Sequence, residues 1–226
     1  MAVCDAHYVF TLVNIGGFGS NNDSGILLNS SMGKALENNT PGFPPPETFE
    51  GLQVPLPYYL VGDEIFGLKT YMQRPFPGRN ISENQRIFNY RLSRARRVIE
   101  NTFEILTARW GIFSRPISAS VKTAEAITKA VVCLHNFLRL TNSAVYCPTG
   151  FADSEDGTGR IKPGEWRGAV RRTGSDAMTN MPPFRGRRNS SAAVQVRNAL
   201  MSYFISDAGS LPWQWEYVRS RGQLSY

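Results

Sequence analysis

The region that most restricts the fold of this chain is a long helical pattern between residues 82 and 110. Ser82 with Gln85 three residues later forms the pairing of a capping box, which starts a helix by satisfying backbone N–H groups at its first turn. Apolar residues then recur at approximately helical spacing as far as Trp110. We therefore predict one helix here, with an apolar stripe formed by Ile87, Ala95, Val98, Phe103 and Leu106.

Proline-rich segments confine the sequence before this helix to loops and short strands. Residues 41–57 contain six prolines, and residues 74–80 form a second loop of Pro and Gly. Between them, the short apolar run 58–61 ends in Gly62-Asp63, as a buried strand would. Residues 8–15 are rich in aromatic and β-branched side chains, which predicts an earlier strand.

Further helices are predicted on both sides of this region. A short one covers about residues 23–38. A second, over about 123–140, has its apolar residues at i, i+3, i+4 and i+7, and a third spans 191–204. Residues 148–188 are rich in Gly, Pro, Ser, Asp and Arg without periodicity, which indicates a flexible linker. The closing stretch LPWQWEYV is aromatic enough to need a surface to pack on.

Charge is distributed unevenly along the 226 residues, which include 25 Lys and Arg against 18 Asp and Glu for a net charge of +7. Residues 1–68 carry a net charge of −6, whereas 69–115 and 160–197 each carry +7. An excess of base favours an acidic partner such as nucleic acid or a membrane surface. No run of about 18 apolar residues occurs, so we predict no transmembrane helix. Of the two kinds of acidic partner, we expect nucleic acid and no membrane.

The cysteines and histidines argue against several kinds of site. The three cysteines are odd in number and scattered, and no histidine lies at zinc-finger spacing from them. We therefore expect neither a disulfide framework nor a structural zinc site. A catalytic Ser-His-Asp or Cys-His arrangement would have to use His7 or His135. Because His135 lies in a strongly apolar helix, its position favours a hydrogen-bonded histidine of the core.

Asp63 and Glu100 are the candidate metal ligands. Asp63 ends a short apolar strand and Glu100 lies in the middle of the long helix, so the two carboxylates could converge on one cation. Mg²⁺ and Mn²⁺ take oxygen ligands and keep positions for water and phosphate, and such a cation promotes phosphodiester cleavage. The alternative for Glu100 is an ordinary ion-paired helix face with Arg96 and Arg97. The alternative for Asp63 is the start of a turn.

Arginines crowd the same helix, with Phe88 and Tyr90 among them. The planar guanidinium group suits phosphate because it can donate two hydrogen bonds at once. Only Glu83 and Glu100 are nearby in the sequence to neutralise these charges. Contact with nucleic acid is one interpretation, and a solvated helix face is the other. The candidate nucleic-acid-binding residues are Arg86, Arg91, Arg94, Arg96 and Arg97.

Several stretches of the chain resemble one known family. The run YLVGDEIFGLKTYMQRPFPGRN, followed by QRIFNYRLSRARRVIENTFEILTARWGIFSRPI, is similar to the DDE endonuclease domain of Harbinger-type transposases and of cellular proteins derived from them. CDAHYVFTLVNIGGFGSNNDSG resembles the stretch just upstream in that family. VVCLHNFLR and RNALMSYFISDAGSLPWQWE resemble its later helices. The resemblance covers roughly residues 1–145 and 194–218, and it rests on the motifs GDE-x-F and R-x-x-E-x-x-F in this order.

The resemblance implies an α/β chain with an RNase H-like core, in which three carboxylates hold divalent metal and cleave DNA. The second of these carboxylates resembles Asp63 and the third resembles Glu100. The implied cofactor is Mg²⁺ or Mn²⁺, and the implied partner is DNA, with a separate DNA-binding protein as a further partner. The implied location is the nucleus, with the cytoplasm as an alternative.

One departure from the family bears on activity. The family's first catalytic aspartate lies on the opening strand in an Asp-Gly-Lys-His-like motif, and this sequence has no such motif. Two carboxylates alone would bind Mg²⁺ weakly, and a sheet without its first strand would expose an edge. We therefore expect a chain truncated at its N-terminus and keep two hypotheses. One is a metal-dependent DNA endonuclease, and the other is an inactive remnant that still binds DNA or a partner.

The expected organisation follows from the resemblance and the composition. Residues 1–145 are expected to form a partial DDE endonuclease domain. Residues 146–190 are expected to be a flexible basic linker. Residues 191–226 are expected to be a C-terminal helical segment that packs on the core.

Overall fold

A computed structural model describes residues 1–17, 23–38, 42–52, 54–169 and 189–223. The chain divides into two compact units, unit one (Met1–Asn21 and Arg97–Asn180) and unit two (Asn22–Arg96 and Met181–Tyr226). The elements in chain order are β1 (Ala2–Cys4), β2 (Phe10–Val13), α1 (Asp23–Asn29), α2 (Ser31–Glu37), β3 (Leu60–Val61), β4 (Met72–Gln73), α3 (Glu83–Arg109), a short 3₁₀ helix (Gly111–Ser114), α4 (Val121–Thr141), α5 (Ser143–Tyr146), β5 (Ser154–Glu155), β6 (Ile161–Lys162), α6 (Trp166–Ala169), α7 (Ser191–Phe204) and α8 (Gln214–Gln223).

The strands of the described residues pair into small sheets of two strands each. β1 with β2 and β5 with β6 are antiparallel, whereas β3 with β4 is parallel. A chain that mixes helices with short strands agrees with the predicted α/β class at that level. Across the described ranges, no helix is both long enough and apolar enough to span a bilayer.

Unit one is held together by two apolar clusters and by side chains that bond to strand backbone. Phe10 of β2 packs with Leu106 of α3 and Val131 of α4. A second cluster joins α3 to the segment after α4 and consists of Ile105, Tyr146, Phe151 and Trp166. A buried amide group costs free energy unless it is hydrogen-bonded. The side-chain amide of Asn136 in α4 bonds to the backbone of Phe10 in β2 and therefore also fixes the position of this strand.

The predicted strand over residues 8–15 is shorter in the structure, where β2 covers Phe10–Val13. The Asp5 carboxylate accepts hydrogen bonds from the backbone N–H groups of His7 and Val9, at 2.8 and 3.0 Å. Tyr8 adopts a φ of 63°, a left-handed conformation that a strand does not contain. The chain therefore turns just before β2, and this turn connects it to β1, a strand that the sequence analysis did not predict.

Unit two buries the N-terminal half of α3 on two sides. Phe88 and Leu92 pack with Leu200 of α7. Ile87 and Tyr90 pack with the C-terminal aromatic segment, whose members are Trp213, Trp215, Tyr217 and Val218. The Trp213 indole donates a hydrogen bond of 2.9 Å to the Tyr90 hydroxyl. The C-terminal aromatic residues therefore have the packing surface that their composition requires.

The start of α3 is confirmed, but its predicted stripe is partly wrong. The Ser82 N–H donates to Gln85 Oε1 at 2.9 Å, and the Gln85 N–H donates to Ser82 Oγ at 3.3 Å, which completes the capping box. Ile87 and Leu106 are buried as predicted, whereas Ala95 is exposed and Phe103 is 45% exposed. Because adjacent residues of α3 pack into different clusters, its buried surface is not a single stripe.

The helix predicted over residues 23–38 is two helices, α1 and α2, with a break at Ser30. The Ser30 hydroxyl accepts from the Gly33 N–H at 2.9 Å and so caps α2. Gly33 is required at this junction, since a Cβ there would lie 1.8 Å from the carbonyl oxygen of Leu27. The apolar pattern suggests one continuous helix, but the cap at Ser30 and the close approach of Gly33 to Leu27 break it into two.

The other predicted helices are present. α4 covers Val121–Thr141 and α7 covers Ser191–Phe204, each capped by the serine before it. Within the segment predicted to be a flexible linker, residues 146–169 contain β5, β6 and α6. The rest of that segment up to residue 188 lies outside the described residues.

Candidate metal and nucleic-acid site

Asp63 lies directly after β3 in unit two and begins a turn. Its Oδ1 atom accepts a hydrogen bond of 2.9 Å from the backbone N–H of Ile65, the Asx-turn arrangement. Gly62 is needed before it, because a Cβ at that position would lie 2.7 Å from Cδ2 of Phe66. The local sequence therefore fixes the orientation of this half-buried carboxylate, and the turn alternative raised for Asp63 is realised.

Arg96 of α3 brings a positive charge to Asp63. Its Nη1 atom lies 3.9 Å from Asp63 Oδ2, and the two side chains are 39% and 29% exposed. At this distance and exposure the ion pair contributes little stability, roughly 0–1 kcal/mol. Its consequence is electrostatic, because Oδ2 faces the positive charge of Arg96.

A small cavity of about 240 Å³ lies against Asp63 and Arg96 in unit two. Its volume is several times the roughly 30 Å³ that one water molecule occupies in the liquid, so it can admit a hydrated group. It is lined by Gly62, Asp63, Glu64, Pro75, Leu92, Ser93 and Arg96.

Glu100 is exposed on α3 and belongs to unit one. It is four residues beyond Arg96 on the same helix. The structure thus brings Asp63 together with Arg96, while the pairing of Asp63 with Glu100 stays a prediction.

Two of the five candidate arginines make strong contacts inside their own unit. Arg91 Nη1 donates to the Gly209 carbonyl at 2.7 Å and to Gln214 Oε1 at 3.2 Å, and its guanidinium lies 4.5 Å from the ring centre of Phe204. Burial, followed by the charge of Arg94, lowers the pKa of Arg91 below its ordinary value. In unit one, Arg97 Nη1 lies 2.9 Å from Glu155 Oε2 in a largely buried ion pair.

The other candidate arginines are partly exposed on the unit-two half of α3. Arg94 lies over the rings of Tyr90 and Trp213, at 5.9 and 5.6 Å from their centres. Arg86 contributes positive charge near the carboxylate of Glu83. The Arg96 side chain is 39% exposed, against 16% for Arg97, although Arg86, Arg94 and Arg96 each have neighbours in their own unit.

Comparison with known families shows to which family this chain belongs. Residues 1–136 match the family described as DDE superfamily endonuclease, and the match includes Asp63, Glu100 and the whole of α3. This chain belongs to the DDE superfamily endonuclease family. No curated protein and no solved structure matches it.

His135 lies in the core of unit one, and hydrogen bonds occupy both of its ring nitrogens. The side chain is 0% exposed, with Nδ1 2.9 Å from the Tyr146 hydroxyl and Nε2 2.7 Å from the Tyr8 carbonyl oxygen. The Trp110 indole donates to the same hydroxyl at 3.1 Å. The hydroxyl proton therefore points to Nδ1, and Nε2 carries the proton given to Tyr8. Burial lowers the pKa of His135, so the ring is neutral, and the prediction of a core histidine is confirmed.

The residues present fit a divalent cation only in part. DDE endonucleases generally use divalent metal, and the Asp63 carboxylate is the hard oxygen donor that Mg²⁺ prefers. However, no three His, Cys, Asp or Glu side chains are grouped for metal binding within the described ranges.

The cavity beside Asp63 could not be found from the sequence. Pro75 and Leu92 that line it come from a loop and a helix, and no local pattern links them to Gly62. The only available signal was Asp63 itself, at the end of an apolar run.

Proposed function

We propose that this chain is a Harbinger-type, transposase-derived endonuclease that cleaves DNA phosphodiester bonds with Mg²⁺ or Mn²⁺ on an RNase H-like core. Asp63 and Glu100 are the proposed metal ligands and catalytic carboxylates. The observation that supports this most strongly is the match of residues 1–136 to the DDE superfamily endonuclease family.

The surroundings of Asp63 suit the proposed role. The Ile65 N–H holds one carboxylate oxygen at 2.9 Å, which leaves Oδ2 directed towards Arg96 beside a cavity. A divalent cation bound there would neutralise charge that develops on a phosphate during cleavage. Arg96 would supply a second positive charge to the same phosphate, and its fork could donate directly to phosphate oxygens.

The arginines of α3 are the proposed contacts to the DNA backbone. Arg96, whose side chain is 39% exposed against 16% for Arg97, is expected to contribute most, together with Arg86 and Arg94. Arg91 and Arg97 remain part of the proposal, but their contacts to Gly209 and Glu155 also position their own segments. Replacing either of these two would therefore alter folding as well as binding.

The second candidate function is a non-catalytic protein that keeps the fold and binds DNA or a protein partner. One observation favours it, namely that Asp63 already has structural partners in Ile65 and Arg96. Such a protein would bind DNA through the basic helix with an affinity that falls steeply with salt and is indifferent to EDTA.

The location and further partner follow from the same proposal. An enzyme acting on chromosomal DNA would work in the nucleus, and a separate DNA-binding protein would supply the sequence specificity that backbone contacts lack.

Nicking of supercoiled plasmid by the purified chain tests the proposal. We expect nicked circles with Mg²⁺ or Mn²⁺ and none with EDTA. Asp63→Asn retains the turn acceptor but removes the charge, and we expect it and Glu100→Gln to slow nicking by roughly a hundredfold, since even outer-shell partners cost about 10–100-fold. Glu104→Gln, on the same helix as Glu100, is the matched control and should nick like the parent.

The two candidate functions give different results in this assay. Plasmid binding that resists EDTA, without nicking in either metal, would support the non-catalytic protein. Nicking that is unchanged in Asp63→Asn would exclude the proposed metal site. If Arg86, Arg94 and Arg96 replaced together by Ala left DNA binding intact, α3 would not be the contact.

A further inference from the structure

Arg197 of α7 is a buried charge with unused hydrogen-bond donors. Its residue surface is only 8% exposed, and its Nε and Nη1 atoms are buried without a hydrogen-bond partner. The guanidinium lies over Phe76, with Cζ 4.0 Å from the ring centre. A phenyl ring carries no hydrogen-bond acceptor atom that could pair with the N–H donors in the plane of the guanidinium.

Arg74, which follows β4 in the same unit, also has a buried donor without a hydrogen-bond partner. Its Nη1 atom donates to the Glu64 carbonyl oxygen at 2.9 Å, but its Nε atom is buried and has no partner. Arg74 also lines the large cavity of unit two, about 1140 Å³ in volume. Arg74 is two residues before Phe76, the ring over which Arg197 lies. Burial first, and then the charge of Arg74, lowers the pKa of Arg197.

This arrangement is unfavourable unless a negative group joins it. Arginine stays protonated in proteins, so neither side chain can escape the cost by losing its proton. Buried charges are almost always paired. Yet no carboxylate among the described residues forms a salt bridge with Arg74 or Arg197.

We propose that Arg74 and Arg197 form a binding site for a phosphate group. Two positive charges and three vacant N–H donors, from two different elements, match a dianion with several acceptor oxygens better than they match a single carboxylate. The cavity lined by Arg74 adjoins the proposed site on the Arg74 side. The phosphate is either inorganic phosphate or a backbone phosphate of DNA, and the site is independent of any metal at Asp63.

Thermal unfolding in sodium phosphate and in sodium chloride of equal ionic strength tests the site. We expect phosphate to raise the Tm of the parent chain by about 3 °C or more relative to chloride once it exceeds its Kd about tenfold. Arg197→Met keeps an unbranched apolar stem beside Phe76 but removes the guanidinium, and it should lose this increase. Arg197→Lys keeps the charge without the fork and should keep only part of it.

Arg219→Met is the matched control. Arg219 also lies over an aromatic ring, that of Trp215 at 5.4 Å, but it is exposed and paired with Glu83. Its removal should leave the phosphate increase intact, which also corrects for the general stabilising effect of phosphate as a salt. No increase in the parent, or the same increase in Arg197→Met as in Arg219→Met, would overturn the site.

Binding of a fluorescent DNA duplex then assigns the source of the phosphate. If the phosphate belongs to DNA, inorganic phosphate should compete with the duplex and Arg197→Met should weaken binding about tenfold. If the ligand is inorganic phosphate alone, Arg197→Met should bind the duplex like the parent while lacking the thermal increase. Each of these results, together with the thermal increase in the parent, supports the site.

Discussion

The two units differ in whether the polar groups that they bury have hydrogen-bond partners. In unit one, both ring nitrogens of His135 are bonded, and the side-chain amide of Asn136 both donates to and accepts from the backbone of Phe10 at 2.8 Å. In unit two, the buried side-chain atoms without a partner are Gln73 Oε1, Arg74 Nε, Arg197 Nε and Arg197 Nη1. Among the described residues, every such atom therefore belongs to unit two.

This difference separates structural polar groups from those that await a ligand. A buried network whose members satisfy each other stabilises one arrangement of the core. A buried donor that nothing satisfies costs free energy until a ligand or water reaches it. Histidine is a frequent catalytic residue, but His135 has a structural role in the core of unit one. Arg197 of unit two, which no motif singles out, is the residue with unused binding capacity.

Breaking the network of unit one should have the largest effect. His135→Ala removes both ring hydrogen bonds, leaves the Tyr8 carbonyl without its donor and opens a cavity, so we expect a loss of about 3–4 kcal/mol in the free energy of unfolding. Urea unfolding followed by tryptophan fluorescence measures it. His7→Ala, at an exposed position, should change the value by less than about 0.5 kcal/mol. A loss from His135→Ala as small as that of the control would show that the network is not structural.

Removing the buried charge of Arg197 in unit two should change the free energy of unfolding by a smaller amount and should raise it. In chloride buffer, Arg197→Met is expected to stabilise the chain by about 1.5 kcal/mol, because an apolar side chain of similar length costs nothing to desolvate. The same urea titration measures this gain, with Arg219→Met as the exposed counterpart. A destabilisation comparable to that of His135→Ala would mean that Arg197 has an internal partner and would remove the contrast between the units.

The pH dependence due to His135 should be the smallest effect. Burial lowers the pKa of the folded histidine below its ordinary value of 6.5. Above that value the ring is neutral in both states and its contribution to stability is complete. As the pH falls below it, the unfolded chain takes up a proton first, so stability declines by at most about 1.4 kcal/mol per pH unit until the folded ring also titrates. Urea midpoints between pH 7.5 and 5.5 should show this decline in the parent and not in His135→Asn.

The sequence predicted the parts of the fold that depend on local pattern. The capping box of α3, the bounds of α7 and the core position of His135 follow from neighbouring residues and helical spacing. The break at Ser30 was missed, because it depends on how closely Gly33 approaches Leu27. The turn at Tyr8 was missed since the apolar pattern continues through it.

The functional residues likewise include some that the sequence predicted and some that it did not. Asp63 and Arg96 could be named from the sequence, because one ends an apolar run and the other lies in a cluster of arginines. The meeting of Arg74 with Arg197 could not, since it depends on the packing of α7 against the segment after β4 rather than on any spacing in the chain. Long-range packing is what sequence pattern alone does not determine.

Calorimetric titration of the chain with Mn²⁺ tests the proposed endonuclease site most directly, because it needs neither DNA nor turnover. We predict a saturable site in the parent that is weakened at least about tenfold by Asp63→Asn and by Glu100→Gln, each alone. Glu104→Gln should bind Mn²⁺ like the parent. Equal Mn²⁺ affinity in all three variants, or no saturable binding by the parent, would contradict the assignment of Asp63 and Glu100 as metal ligands.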